Sequence, residues 1–253
     1  MSTLFDKAVT ILNYLGQAGE PVGVVRLAKD LGMPKSSASR LLSMLARYDL
    51  AVKNKGGQYQ TGPGTLLWGS AYSSKNVFLE TCRPFLETIK HITDQTVWLL
   101  YYGSARKLFL IDGIFTADSG LTSGPRRGQT LPMHATAGGK AVLMQLPGIE
   151  LDYFFKAERL EFVTPNSIVR ENSLRDQLKF FRQRGYAEEQ SEHLPGVSGI
   201  AAPILSKNKY PLGSVSIVSS AYQHSHDAWT RVGSFLADTC HKLSIRLQSR
   251  GIS

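Results

Sequence analysis

Between Pro34 and Tyr48 the sequence separates two sets of residues at helical spacing. Ala38, Leu41, Leu42 and Leu45 form an apolar stripe, and Lys35, Ser36, Ser39, Arg40, Ser43 and Arg47 fall on the opposite side. That second face offers small hydroxyls and cations and no acid. Such a set donates hydrogen bonds to phosphate oxygens and to guanine edges, the chemistry of a helix entering the major groove of DNA. A merely solvated face would more often alternate Lys with Glu. Shortly after it, Lys53 and Lys55 flank a glycine-rich turn, where cations contact phosphate and position a module without reading sequence. Catalytic patterns are incomplete by comparison. Gly139-Lys140 has His134 where a phosphate-binding loop needs glycine and Ala141 where it needs a hydroxyl. Neither a nucleophile elbow nor a His-Glu-x-x-His zinc motif occurs. His224, His226 and Asp227, and the stretch Glu188, Glu189, Glu192 and His193, supply ligand atom types without a metal spacing. The expectation is a binding protein and not an enzyme, with no cofactor and no metal.

The elements needed to position these residues are legible in the periodicity. Leu4, Ala8, Ile11, Leu12 and Leu15 recur as in a helix that ends at Gly16 and Gly19, and Val24 to Leu31 make a short second helix closed by Gly32. Pro34 stands where a first-turn proline opens a third helix. Helix, glycine turn, helix is a helix-turn-helix. Leu50-Ala51-Val52 and Gln58-Tyr59-Gln60 then flank the turn at 53–57 as a hairpin wing. Residues 1–62 read as a winged helix-turn-helix, and 63–76 as a helical linker after Gly62-Pro63-Gly64. In 77–253 the expected helices are Phe78–Thr93, Met133–Leu146, Asn172–Arg184 and His226–Leu247. The expected strands are Thr96–Tyr102, Lys107–Ile111, Ile200–Leu205 and Leu212–Ser219. Interleaving on this scale predicts one antiparallel sheet with packed helices, an α+β two-domain chain.

Charge agrees with the placement of a polyanion site. The 253 residues carry a net charge of +9. The first 62 hold +4 of it, a density about two and a half times that of the rest. Cys82 and Cys240 match no metal or redox spacing and read as buried thiols. The first residues lack a signal-peptide pattern, and the longest apolar runs fall short of a membrane span. A cytoplasmic protein without membrane contact is expected.

The chain resembles the IclR family of bacterial transcriptional regulators. The N-terminal match runs from Leu27 to Leu42 and resumes at Gly57-Gln58-Tyr59-Gln60-Thr61-Gly62. The C-terminal match is Leu131-Pro132-Met133-His134-Ala135-Thr136-Ala137-Gly138-Gly139-Lys140-Ala141, continued in order by Gly185-Tyr186-Ala187, Glu192, Gly196-Val197 and Ile200-Ala201-Ala202-Pro203. The resemblance implies a winged helix, a linker helix and a GAF/profilin-like effector-binding domain, acting as a homodimer or a homotetramer on palindromic double-stranded DNA operators. On the helix-face and wing reading the residues expected on DNA are Lys35, Ser36, Ser37, Ser39 and Arg40, with Lys53 and Lys55 on the wing. Carried over by position, the effector site comprises Thr136, Ala137, Gly138, Gly139, Glu189, Gly199, Ser216 and Val218, with His134 at the start of the same helix. A helix start with small residues suits a carboxylate, so the expected effector is a small organic acid. Trp98, Tyr101, Phe109 and Leu121 are candidates for an apolar wall. Four positions depart from the family pattern: Ser39 where a bulky residue is usual, Glu189 for an aspartate, Gly199 for a polar or thiol side chain, and Val218 for a hydroxyl. The last two imply a larger or more apolar ligand than the smallest oxo-acids. A DNA-binding protein whose second domain only oligomerises is the alternative.

Overall fold

The chain enters its first helix through a capping box. Thr3 Oγ1 accepts the Asp6 N–H at 3.1 Å, and the Asp6 carboxylate accepts the Thr3 N–H at 2.7 Å. This helix, α1 (Leu4–Ala18), runs through Gly16 and closes on Gly19 at φ 68°. Thr3→Ala should therefore fray α1 and lower the thermal midpoint of the first unit by a few degrees in a melting scan. The structure is a computed structural model that describes residues 3–116, 125–220 and 226–252. It divides into two compact units, Met1–Asn76 and Val77–Ser253.

In the first unit α2 (Val24–Asp30) and α3 (Lys35–Arg47) are joined by a turn in which Gly32 takes φ 59°. The stripe Ala38, Leu41, Leu42 and Leu45 packs with Ile11, Leu15 and Leu27 in one buried cluster. That burial is what holds the opposite face of α3 outward. Strand β1 (Ala51–Lys53) pairs antiparallel with β2 (Tyr59–Thr61), Lys53 opposite Tyr59. The hairpin is tied to the segment before α2, because Val22 and Tyr59 exchange backbone hydrogen bonds at 2.7 and 2.8 Å. Gly62 is obligatory, since a Cβ there would sit 2.1 Å from the Asp49 carbonyl oxygen. Helix α4 (Gly64–Ser74) follows and buries none of its residues.

The second unit is built on a six-stranded antiparallel sheet in the order β5-β4-β3-β8-β7-β6. Its strands are β3 (Thr96–Tyr102), β4 (Leu108–Ile114), β5 (Thr130–Leu131), β6 (Ala187–Gln190), β7 (Val197–Leu205) and β8 (Pro211–Ser220). The period-2 alternation of strands sends successive side chains to opposite faces. Trp98, Leu100, Ala201 and Val218 join the core under α6 (Ala137–Leu143), α7 (Gly148–Ala157) and α8 (Glu171–Arg184). Val97, Leu99, Ile200 and Ile217 face the core shared with α5 (Val77–Thr93) and α9 (His226–Ser249). Cys82 on α5 and Cys240 on α9 are free and buried in that second core. Burial pushes both thiols up, Cys240 to about 12. Neither should react with a thiol reagent at pH 8 until the protein is unfolded, which a colorimetric titration before and after denaturant would show.

Four elements differ from expectation. The helix expected over 133–146 is shorter, because Met133 to Thr136 form a turn that doubles back on it. A Cβ on Gly139 would lie 2.3 Å from Met133 Cα. Strand β6 was not expected, since Ala187-Glu188-Glu189-Gln190 carries two acids; its pairing with β7 supplies what propensity does not. Helix α7 and the two-residue β5 were also unforeseen.

Candidate nucleic-acid interface and ligand cavity

Lys35, Ser36, Ser39, Arg40, Ser43 and Arg47 are exposed along one side of α3, and Ser37 is half-buried beside them. Their charges are uncommitted: among the described residues Lys35, Arg40, Arg47 and Lys55 enter no ion pair. On α2, by contrast, Arg26 is neutralised by Glu20 at 2.7 Å and Asp30 at 3.8 Å. Lys53 stands 5.7 Å over the Tyr59 ring, and Lys55 is exposed at the tip of the turn. The turn is stiffened by Asn54 Oδ1, which accepts the Gln58 N–H at 3.0 Å. One unit thus presents a helix face and a hairpin tip, both cationic and free of acids.

In the second unit a cavity lies between the start of α6 and the face of β3, β7 and β8. Trp98, Leu100, Thr136, Ala137, Gly138, Glu189, His193, Gly199, Ser216 and Val218 line it, with Leu131, Leu194 and Val197. The space open inside is about 20 Å³, room for about one water molecule. Thr136 caps α6: its Oγ1 accepts the Gly139 N–H at 3.2 Å and donates to the Pro132 carbonyl at 2.8 Å. Ser216 Oγ makes only a long 3.4 Å contact with the Ile200 carbonyl. The Trp98 Nε1 and His193 Nδ1 atoms are buried without a hydrogen-bond partner. Mostly apolar walls with a few convergent polar groups are the usual form of a small-molecule site.

Two of the glycines serve packing more than a ligand. The space beside Gly138 is taken by Leu100, whose Cδ1 would be 2.0 Å from an added Cβ, and that beside Gly139 by the Met133 backbone. Gly139 and His134 are not in the lining. His134 is buried and its Nε2–H donates to the Glu161 carbonyl at 3.0 Å. Of the wall candidates among the described residues, Trp98 alone lines the cavity. Tyr101 sits on the opposite face, edge-on to Phe78 at 5.6 Å, and Phe109 pairs with it across the ladder. Leu121 lies outside the described residues, as does His224. Among the described residues no group of three or more His, Cys, Asp or Glu side chains is placed to hold a metal, and no helix is long and apolar enough to cross a membrane.

Behind the wall is a buried ion pair that the sequence did not announce. Lys140 on α6 is fully buried, and its Nζ donates to Glu192 Oε1 at 2.5 Å. Burial pulls the ammonium down and pushes the Glu192 carboxyl up, each opposed by its partner's charge. The Glu192 carbonyl in turn accepts the Ser167 hydroxyl at 2.7 Å, and its N–H donates to Glu189 Oε2 at 2.9 Å. Burial pushes the Glu189 carboxyl up to about 8, against the hydrogen bonds it accepts. A proton bound more tightly in the folded state than in the unfolded one stabilises the fold at low pH. That contribution is complete below about 4.5 and is lost as pH climbs to about 8. Glu189→Gln should flatten the decline of stability over this window, as read from denaturation midpoints at a series of pH values.

The sequence profile described as the bacterial transcriptional regulator IclR C-terminal domain matches residues 70–245, and that of the IclR helix-turn-helix domain matches residues 5–55. The chain belongs to the IclR family. Among its curated relatives is the HTH-type transcriptional repressor AllR of Escherichia coli K12, 26% identical over 243 residues, which cover 96% of this chain and 89% of AllR. The crystal structure of Thermotoga maritima IclR matches with a TM-score of 0.71 at 26% identity, over 96% of this chain and 98% of that one. An IclR homologue from Microbacterium hydrocarbonoxydans, solved with 4-hydroxybenzoate, shares the fold with a TM-score of 0.74 at 17% identity, over 98% and 100% of the two chains. This IclR-family chain is a transcriptional regulator with a helix-turn-helix DNA-binding domain and a C-terminal effector domain.

Proposed function

We propose that this regulator binds a palindromic operator as a homodimer, or as a dimer of dimers, and senses a small organic acid in the cavity of its second unit. The observation that carries the DNA part is the acid-free outer face of α3 with its uncommitted cations. Lys35, Ser36, Ser37, Ser39 and Arg40 contact the major groove, and Lys53 and Lys55 of the wing contact phosphate. Self-association is supported by α1 and α4, which expose Phe5, Leu66, Leu67 and Trp68 at 76%, 69%, 71% and 56%. Residues 63–76 then serve as the linker between a reading head (1–62) and a sensor (77–253). Paired heads reach successive major grooves about 34 Å apart, or a multiple of that. The acid is supported by the mostly apolar cavity with unpartnered polar atoms, and by the aromatic acid held by the M. hydrocarbonoxydans homologue. Ligand in the cavity alters the linker geometry and so the operator affinity, with about 1–3 kcal/mol of coupling sufficient.

Fluorescence anisotropy with DNA flanking the chain's own gene, against random duplex at two salt concentrations, tests the DNA part. Preference for the flanking DNA with a steep salt slope is the expected result. Absence of binding to either duplex at low salt would overturn it. Operator affinity with and without a bound acid tests the coupling, and identical values would remove it.

A further inference from the structure

The cavity beside α6 has one acid in its wall and no lysine or arginine. Lys140, the ammonium whose charge bears on Glu189, is already bonded to Glu192 and is not part of the lining. A carboxylate brought in beside an ionised Glu189 would meet like charge with no cation to offset it, in surroundings that screen poorly. The wall answers from the donor side. Trp98 is 5% exposed, its Nε1 has no partner, and an indole N–H can only donate. Glu189 is 6% exposed, with Oε2 occupied by the Glu192 N–H. Its Oε1 borders a notch at Gly199, where an added Cβ would lie 3.4 Å from that oxygen and 3.3 Å from Ala137 Cβ. Any side chain at 199 would intrude on this notch.

On the reading that this cavity is the effector site, and that its walls part to admit a ligand larger than the water-sized space now open, we propose that it holds an organic acid against two donors, the Trp98 indole N–H and a Glu189 carboxyl that keeps its proton. The ligand carboxylate accepts from both, and when Glu189 is ionised beforehand a proton is taken up from solvent on binding. The ionisable groups around Glu189 are Lys140 from α6, Glu188 beside it on β6, and Glu192 and His193 from the following turn. Glu188 is paired with Arg184 of α8 at 3.1 Å, and His134 stands behind the wall. The faces of β3, β7 and β8 in the lining add Trp98, Leu100, Gly199, Ser216 and Val218, none of them ionisable in this range. Burial and the Glu192 charge thus outweigh Lys140, and Glu189 titrates near 8. Acid binding is therefore flat below that pH and weakens about tenfold per unit above it. A primary amide, able to accept from the acid or donate to the carboxylate, escapes this fall.

The test is calorimetric titration of the full chain with benzoate, phenylacetate and butyrate, each beside its primary amide, at pH 6.5, 8.0 and 9.5. The expected result is a loss of roughly thirtyfold in affinity for the acids between the extremes and little change for the amides. Glu189→Gln, neutral at every pH, should bind acids without that slope. Trp98→Phe should lose about tenfold for acids and amides alike. Saturable acid binding that is flat with pH in the unsubstituted chain, or a slope that survives Glu189→Gln, overturns the retained proton while leaving the cavity as effector site. Acid binding untouched by Trp98→Phe removes the indole from the donor pair. Absence of saturable binding by every acid and amide overturns the effector reading and this inference together.

Discussion

Lys140→Ala is expected to destabilise the unit Val77–Ser253 by about 3–5 kcal/mol, the usual cost of stranding one member of a buried ion pair. Removal of the ammonium leaves Glu192 buried, with Oε2 already lacking a partner and Oε1 newly so. It also removes a cation 5.9 Å from the Phe181 ring. The same segment carries the N–H that bonds Glu189, so the damage reaches the cavity wall. Replacing both partners by apolar residues of similar size, Lys140→Met with Glu192→Leu, should recover most of the loss, because no charge then remains to be solvated. Urea unfolding of the two variants beside the unsubstituted chain decides the point. A single substitution that shifts stability by less than about 1 kcal/mol would show that water reaches the pair.

Arg40→Ala is expected to weaken binding to the operator by about 1–3 kcal/mol, roughly five- to 150-fold. Arg40 is exposed mid-helix, and no carboxylate among the described residues holds its guanidinium. The discriminating measurement is the same substitution on random duplex. Loss confined to the operator assigns Arg40 to a base edge; equal loss on both makes it a phosphate clamp. Ser39 sharpens the expectation, since a small hydroxyl beside Arg40 leaves the guanidinium unobstructed.

The first unit was largely legible because its information is local. The stripe Ala38, Leu41, Leu42 and Leu45, the turn at Gly32 and the polar hairpin at 53–57 each report on their own neighbourhood. The backbone pairing of Val22 with Tyr59 was not visible, as it joins residues 37 positions apart without a side-chain signature. In the second unit the long strands and helices carried strong periodicity, while β6 is defined only by its partner. The site divided in the same way. Thr136, Ala137, Gly138, Glu189, Gly199, Ser216 and Val218 all line one cavity, but their positions came from a family resemblance and not from spacing. Trp98 against Tyr101 could not be separated by composition; strand parity separates them. The Lys140–Glu192 pair spans 52 residues, and Gly139-Lys140 read alone suggested only an imperfect phosphate loop.

The pleat of the central sheet divides labour along single strands. On β7 and β8, Gly199, Ser216 and Val218 face the cavity, while their immediate neighbours Ile200, Val215 and Ile217 face α5 and α9. A mutation in the first group alters the cavity wall, and one in the second alters the packing that holds the unit together. The shape of the cavity can therefore be changed one residue at a time while the packing of the opposite layer is left as it is, so the wall and the scaffold are separable within a single strand.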